Sequence, residues 1–160
     1  MKKLLFILMA LPLLAATMVS CSDDDKDVPE VNIGITYSGA TDVDGTLYTV
    51  QGDTISIDSV YCTPAEGTKP AMINDVAYVL DGRPLGISPV PPFSISLDTE
   101  GFPVGRHVLT LQMTVLQEGK SVGTAWMPVP IAVVDTITDI PSGATPGGSA
   151  TFTGKATTSN

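Results

Sequence analysis

Arg106-His107-Val108-Leu109-Thr110-Leu111-Gln112-Met113-Thr114-Val115-Leu116 is the stretch on which the fold turns. His107, Leu109, Leu111, Met113 and Val115 alternate with Val108, Thr110, Gln112 and Thr114. That period of two sends successive side chains to opposite faces of a strand. Phe93–Leu97 repeats the pattern, with Phe93, Ile95 and Leu97 inward and Ser94 and Ser96 outward. Working outward, Val31–Tyr37, Thr46–Val50, Thr54–Cys62, Met72–Leu80 and Ser121–Val134 read as further strands, and Pro84–Ser88 as a short edge segment. The total is about seven strands, the number expected of an aligned sandwich.

Punctuation supports this reading. Asp42-Val43-Asp44-Gly45, Asp81-Gly82 and Glu118-Gly119 are turn signals, Pro64–Pro70 a loop, Pro89–Pro92 a rigid connector and Thr99–Gly105 a corner. Ile55 and Ile57 share one face before the pattern shifts to Val60 and Cys62, which predicts a bulge near Asp58-Ser59. Met72–Leu80 is apolar on both faces, as a central strand should be. Pro128 and Pro130 each lack a ladder N–H, so Ser121–Val134 is expected to be an edge strand or two pieces joined by a kink. No helical apolar period of useful length follows Cys21, and residues 31–135 suffice for one core. Residues 136–160 are rich in Ser, Thr, Gly and Pro; with only Ile137, Ile140 and Phe152 to bury, they read as a disordered tail. The alternative is that Ala150–Thr153 adds a strand to the sheet edge of a partner.

The start of the chain carries an address. Lys2-Lys3, an apolar run from Leu4 to Leu14 and a small-residue exit make residues 1–20 a secretory signal. Leu4–Val19 is shorter than the ~20 residues a membrane-crossing helix needs and contains Pro12. Val19-Ser20-Cys21 resembles a lipobox, with Met18 where leucine is commoner. The resemblance implies cleavage before Cys21 and diacylation and N-acylation of that residue; several acyl chains together make a lasting anchor. Residues 21–30 form an acidic linker in which Ser22-Asp23-Asp24-Asp25-Lys26-Asp27 resembles the export signal of surface lipoproteins of the Bacteroidota. That likeness implies the outer membrane, facing the environment.

Charge narrows the partners. Taking Lys2 and Lys3 from eight basic residues leaves six against 17 acidic ones, a formal −11 for the chain after residue 20. Such a polyanion repels nucleic acid and anionic lipid. The remaining candidates for chemistry are few. His107, the sole histidine, reads as a ring tying down the corner before it, against a Ser-His or Cys-His mechanism. Asp42-x-Asp44-Gly45 begins like a calcium loop but lacks its further oxygen ligands, and otherwise reads as a turn. One His and one Cys (Cys62, with Cys21 lipidated) cannot build a tetrahedral zinc site, and no cofactor is expected. Glu66, Glu100 and Glu118 fall in loops or turns, so paired-carboxylate hydrolysis is not expected. Cys62 lies at the end of an apolar strand beside Tyr61 and is expected to be buried and inert. Trp126 could serve as a platform for a sugar ring, or pack in the core or at the rim. Asp135-Thr136-Ile137, like Asp53-Thr54-Ile55 and Asp58-Ser59-Val60, resembles the O-glycosylation sequon of exported Bacteroidota proteins, with Thr136 the most accessible of the three.

Val76-Ala77-Tyr78-Val79-Leu80-Asp81-Gly82, Leu85-Gly86, Pro92-Phe93 and Gly105-Arg106-His107-Val108-Leu109 resemble bacterial immunoglobulin-like modules over about half of the domain. The resemblance implies an immunoglobulin-like β-sandwich and says nothing of ligand. The expectation is therefore a non-enzymatic surface lipoprotein that binds or assists a partner. That partner would be an outer-membrane protein complex or a glycan, with loops Pro64–Pro70 and Pro84–Pro92 presented away from the membrane. The alternatives are a glycan-binding component of a polysaccharide-capture system and a structural or assembly subunit.

Overall fold

The computed structural model describes residues 28–142, 145–146 and 149–152. The signal segment, Cys21 and the acidic run to Asp27 lie outside the described residues, as do residues 143–144, 147–148 and 153–160 of the tail. The chain is all-β. Its strands are β1 (Val31–Ser38), β2 (Thr41–Val43), β3 (Thr46–Val50), β4 (Thr54–Pro64), β5 (Ala71–Leu80), β6 (Arg83–Ser88), β7 (Ile95–Asp98), β8 (Gly105–Gln117), β9 (Gly123–Val134), β10 (Thr145–Pro146) and β11 (Ser149–Phe152). They form two packed sheets, ordered β11-β1-β4-β7 and β10-β2-β3-β9-β8-β5-β6.

The alternation in β8 is realised as read: Leu109, Leu111, Met113 and Val115 are fully buried, while Val108 and Gln112 face out. Ile33 and Ile35 of β1, Ile55 and Ile57 of β4, Val76 and Tyr78 of β5, and Met127, Val129 and Ile131 of β9 complete the core between the sheets. Each such side chain contributes about 1.5–3 kcal/mol when taken from water. With Tyr37, Tyr78 is one of the core's two tyrosines. Its hydroxyl donates to the Phe93 carbonyl, and burial pushes its phenol up to about 12.

Turn chemistry fixes the register. Asp44-Gly45 and Asp81-Gly82 have positive φ at both positions, as two-residue hairpin turns require. Thr41–Val43, read from sequence as part of a turn, is long enough to pair with β3 before the Asp44-Gly45 reversal. The bulge in β4 falls at Asp58, where Thr36 pairs Ser59 and Tyr37 pairs Ile57.

Four expectations are sharpened or revised by the structure. First, β9 is unkinked; it is an edge over Gly123–Pro130, as read, and is flanked by both β8 and β3 only over Ile131–Val134. β3 pairs only Ile131–Val134, so the side of β9 away from β8 is open along Gly123–Pro130. Pro128 and Pro130, two residues apart, direct their missing donors to one side, and that open side tolerates both. Second, Phe93 is buried as read but precedes β7, in a turn with φ 61° in which its N–H donates to Val90 O at 3.0 Å. Third, β5 is central but not apolar throughout: Met72 and Asn74 are exposed where the register slips between Ile73 and Asp75. Fourth, the Pro64–Pro70 loop sits where the chain enters the domain. Val31 pairs Pro64, and Ala65 N–H donates to Glu30 O at 2.8 Å. The Asp81-Gly82 turn and the Thr99–Gly105 corner lie at the opposite end of the strands.

Within the tail, Thr136–Ile140 closes one turn of 3-10 helix, β10 pairs β2 and β11 pairs β1. The open edges of β1 and β2 supply the ladder that the tail's own side chains cannot replace.

Candidate binding face

The residues singled out by the sequence do not converge. Asp42 accepts a hydrogen bond from Gly45 N–H (2.9 Å), so its carboxylate closes the hairpin of which Asp44 is the apex. Among the described residues no three His, Cys, Asp or Glu side chains gather as metal ligands. Cys62 is half-buried against the core, and burial pushes its thiol above the ordinary value, away from thiolate chemistry. Thr136 is exposed, with its hydroxyl donating to Asp139 Oδ2 at 2.8 Å. Cys21 lies outside the described residues.

His107 holds the far corner together. Its Nδ1 meets Asp81 Oδ2 at 2.7 Å and its Nε2 meets Pro103 O at 2.7 Å. Asp81 Oδ1 also accepts from Val108 N–H at 2.8 Å, so one carboxylate ties the β5–β6 turn to β8. Both ring nitrogens face acceptors, which favours the doubly protonated ring. The hydrogen bond to Asp81 raises the His107 pKa above its ordinary value, and the same bond lowers that of Asp81. The stabilisation from a raised histidine is complete below its unfolded value near 6.5 and is lost as pH rises through the folded one. That from a lowered aspartate is lost as pH falls through its folded value, below 3.8. His107→Gln should therefore cost about 1 kcal/mol between those limits, discounted for the exposure of Asp81, with the gap to the parent closing at alkaline pH. Urea titrations of both proteins from pH 5 to 10, read as about equal gaps throughout, would dismiss the charged clasp.

Trp126 stands at the centre of a different feature. It is 50% exposed on the outer face of the seven-stranded sheet. Cross-strand register sets Trp126 beside Gln112, Gln112 beside Ala77, and Ala77 beside Ile87. The next row runs Pro128, Thr110, Val79 and Pro84, and the one beyond it pairs Pro130 with Val108. These three rows contain no charged side chain, on a chain of formal charge −9. Ile87 and Val108 are exposed with Trp126, and Gln112 offers its amide directly opposite the indole. The surface is uncharged, with exposed apolar groups set among neutral hydrogen-bonding ones. Sequence reading found Trp126 but not its companions, because they come from four strands whose register no local pattern discloses.

Two open hollows lie elsewhere. One of about 420 Å³ is lined by Pro70, Ala71, Met72, Leu116, Gln117 and Glu118. The other, of about 250 Å³, lies between Gly39–Thr41, Tyr48–Val50 and Asp53 on one side and Ile137 and Ile140 on the other. Comparison of the chain with protein-family models, with curated proteins and with solved structures gives no match.

Proposed function

We propose that this chain is a non-enzymatic binding module, anchored in the outer membrane through an acylated Cys21 and facing outward, that takes a neutral glycan on its Trp126 face. The observation that carries the reading is the uncharged outer face with Trp126 half-exposed opposite Gln112. A pyranose ring presents an apolar C–H face to an aromatic plane and hydroxyls to neighbouring amides and hydroxyls. Trp126 supplies the first; Gln112 and Thr110 supply the second. The acidic surplus disfavours polyanionic glycans. Immunoglobulin-like architecture is supported by the order β1-β4-β7 against β3-β9-β8-β5-β6. The chain changes sheets between β1 and β2, and β3 runs parallel to β9.

The test is a panel of neutral and anionic polysaccharides against the soluble chain. Trp126→Ala should reduce retention by a neutral glycan at least tenfold while changing stability by less than about 1 kcal/mol, since the ring is half in water. Gln112→Ala should weaken retention severalfold. Retention indifferent to Trp126→Ala, or confined to anionic polymers, would rule out this face as the site.

A further inference from the structure

The four edges of the two sheets are defended unequally. β6 carries Arg83, Pro84 and a bulge between Tyr78 and Val79 of its partner strand, and β7 is four residues long and ends in Asp98. Charge, proline, irregularity and shortness are the usual means of stopping a strand edge from pairing with another chain. β2, three residues long, is capped by β10. β1 lacks charge, proline and shortness, and the bulge of its partner β4 falls only near its end, between Thr36 and Tyr37. Val31-Asn32-Ile33-Gly34-Ile35-Thr36-Tyr37-Ser38 is eight residues without a charge or a proline. Among the described residues its cover is β11, through four pairs: Ile33 with Phe152, Gly34 with Thr151, Ile35 with Ala150 and Thr36 with Ser149. Tyr61 of β4 reinforces the edge, because its ring lies across Gly34 where a Cβ would stand 2.3 Å from it.

We propose that the outer edge of β1 is a strand-acceptor site, and that the Ser149–Phe152 strand of a second copy occupies it when chains associate. The occupant's fit is already visible within one chain, since the same segment forms the same antiparallel ladder. Exchange between copies replaces four pairs by four identical pairs and changes only the route of the connection, the low-cost path to a dimer. The main-chain ladder supplies the attraction, so any proline in the incoming strand that removes a ladder N–H opposes it. This surface lies on the sheet that does not carry Trp126, and it stands whether or not that face binds glycan.

The full chain with the signal removed, Cys21→Ala and a protease sequence inserted after Ser142 can be cut once folded, leaving the strand seated. A labelled peptide of residues 143–160 in excess should then enter one per chain. The same peptide with Ala150→Pro and Thr151→Pro should enter at least tenfold less. The uncut chain, concentrated and annealed below its melting temperature, should give a dimer by sedimentation that the same two substitutions abolish. Trp126→Ala should leave both results unchanged, which separates this surface from the glycan face. Equal uptake of the two peptides, no uptake of either, or an uncut chain that stays monomeric on annealing each overturns the proposal.

Discussion

Gly39→Ala is expected to destabilise the domain by about 3 kcal/mol or more, lowering the urea midpoint without changing the slope. Gly39 has φ 73°, a left-handed conformation that costs a residue with a Cβ about 1–2 kcal/mol. The larger part is contact. An added Cβ would stand 2.0 Å from Thr54 O, a backbone atom at the start of β4 that cannot rotate away. Gly39 also sits where the chain leaves one sheet for the other, and its carbonyl accepts from Thr49 Oγ1 at 3.2 Å. Moving it aside therefore disturbs both layers. Gly45→Ala is the built-in comparison: φ is similar, 79°, but nothing lies within 4 Å of the new methyl. It should cost only the conformational penalty of about 1 kcal/mol. Equal losses for the two variants would show that backbone conformation, and not the approach to Thr54, governs Gly39.

Gln117→Leu should produce the second large loss, about 2–3 kcal/mol, from a side chain of nearly unchanged volume. Gln117 is 6% exposed at the end of β8. Its Oε1 accepts from Glu30 N–H at 2.8 Å, and its Nε2 donates to Lys69 O at 2.7 Å and Thr68 Oγ1 at 3.1 Å. One amide thus binds the entry of the chain to the Pro64–Pro70 loop. Leucine would leave those partners in place and unmet, which costs more than removing both sides of a bond. Amide hydrogen exchange should show faster opening at Glu30 and Ala65, with Leu111 unaffected until global unfolding. A Gln117→Leu chain as stable as its parent would mean that water satisfies these groups in the folded state.

These two residues also mark where reading the sequence stops. The strand pattern of β8, the Asp-Gly reversals, the edge position of β6 and the bulge in β4 were legible because each follows from local chemistry: period-two alternation, positive φ, a change of face. Gln117 and Gly39 were not, since their importance comes from atoms 87 and 15 residues away in the chain. Pro128 and Pro130 disclosed only part of their strand's setting, for a related reason. A missing donor speaks against a neighbour on one side over a few residues, and β3 arrives only beyond Pro130. His107 was read correctly as the tie of its corner, although the carboxylate it meets belongs to the Asp-Gly turn 26 residues earlier. Of the candidate face, Trp126 alone could be picked out, because an aromatic on an outward position advertises itself while Ala77, Thr110 and Gln112 look ordinary until the register assembles them.

The junction of β1 with β4 has a mechanical meaning. Val28–Glu30 lead into β1, whose first residue pairs with the far end of β4 and whose eight pairs run on from there. A pull transmitted through that entry loads the ladder lengthwise, so its rungs share the strain and must slip together instead of peeling one by one. Tension applied through this end of the chain thus meets the ladder in its stiffer, shearing direction.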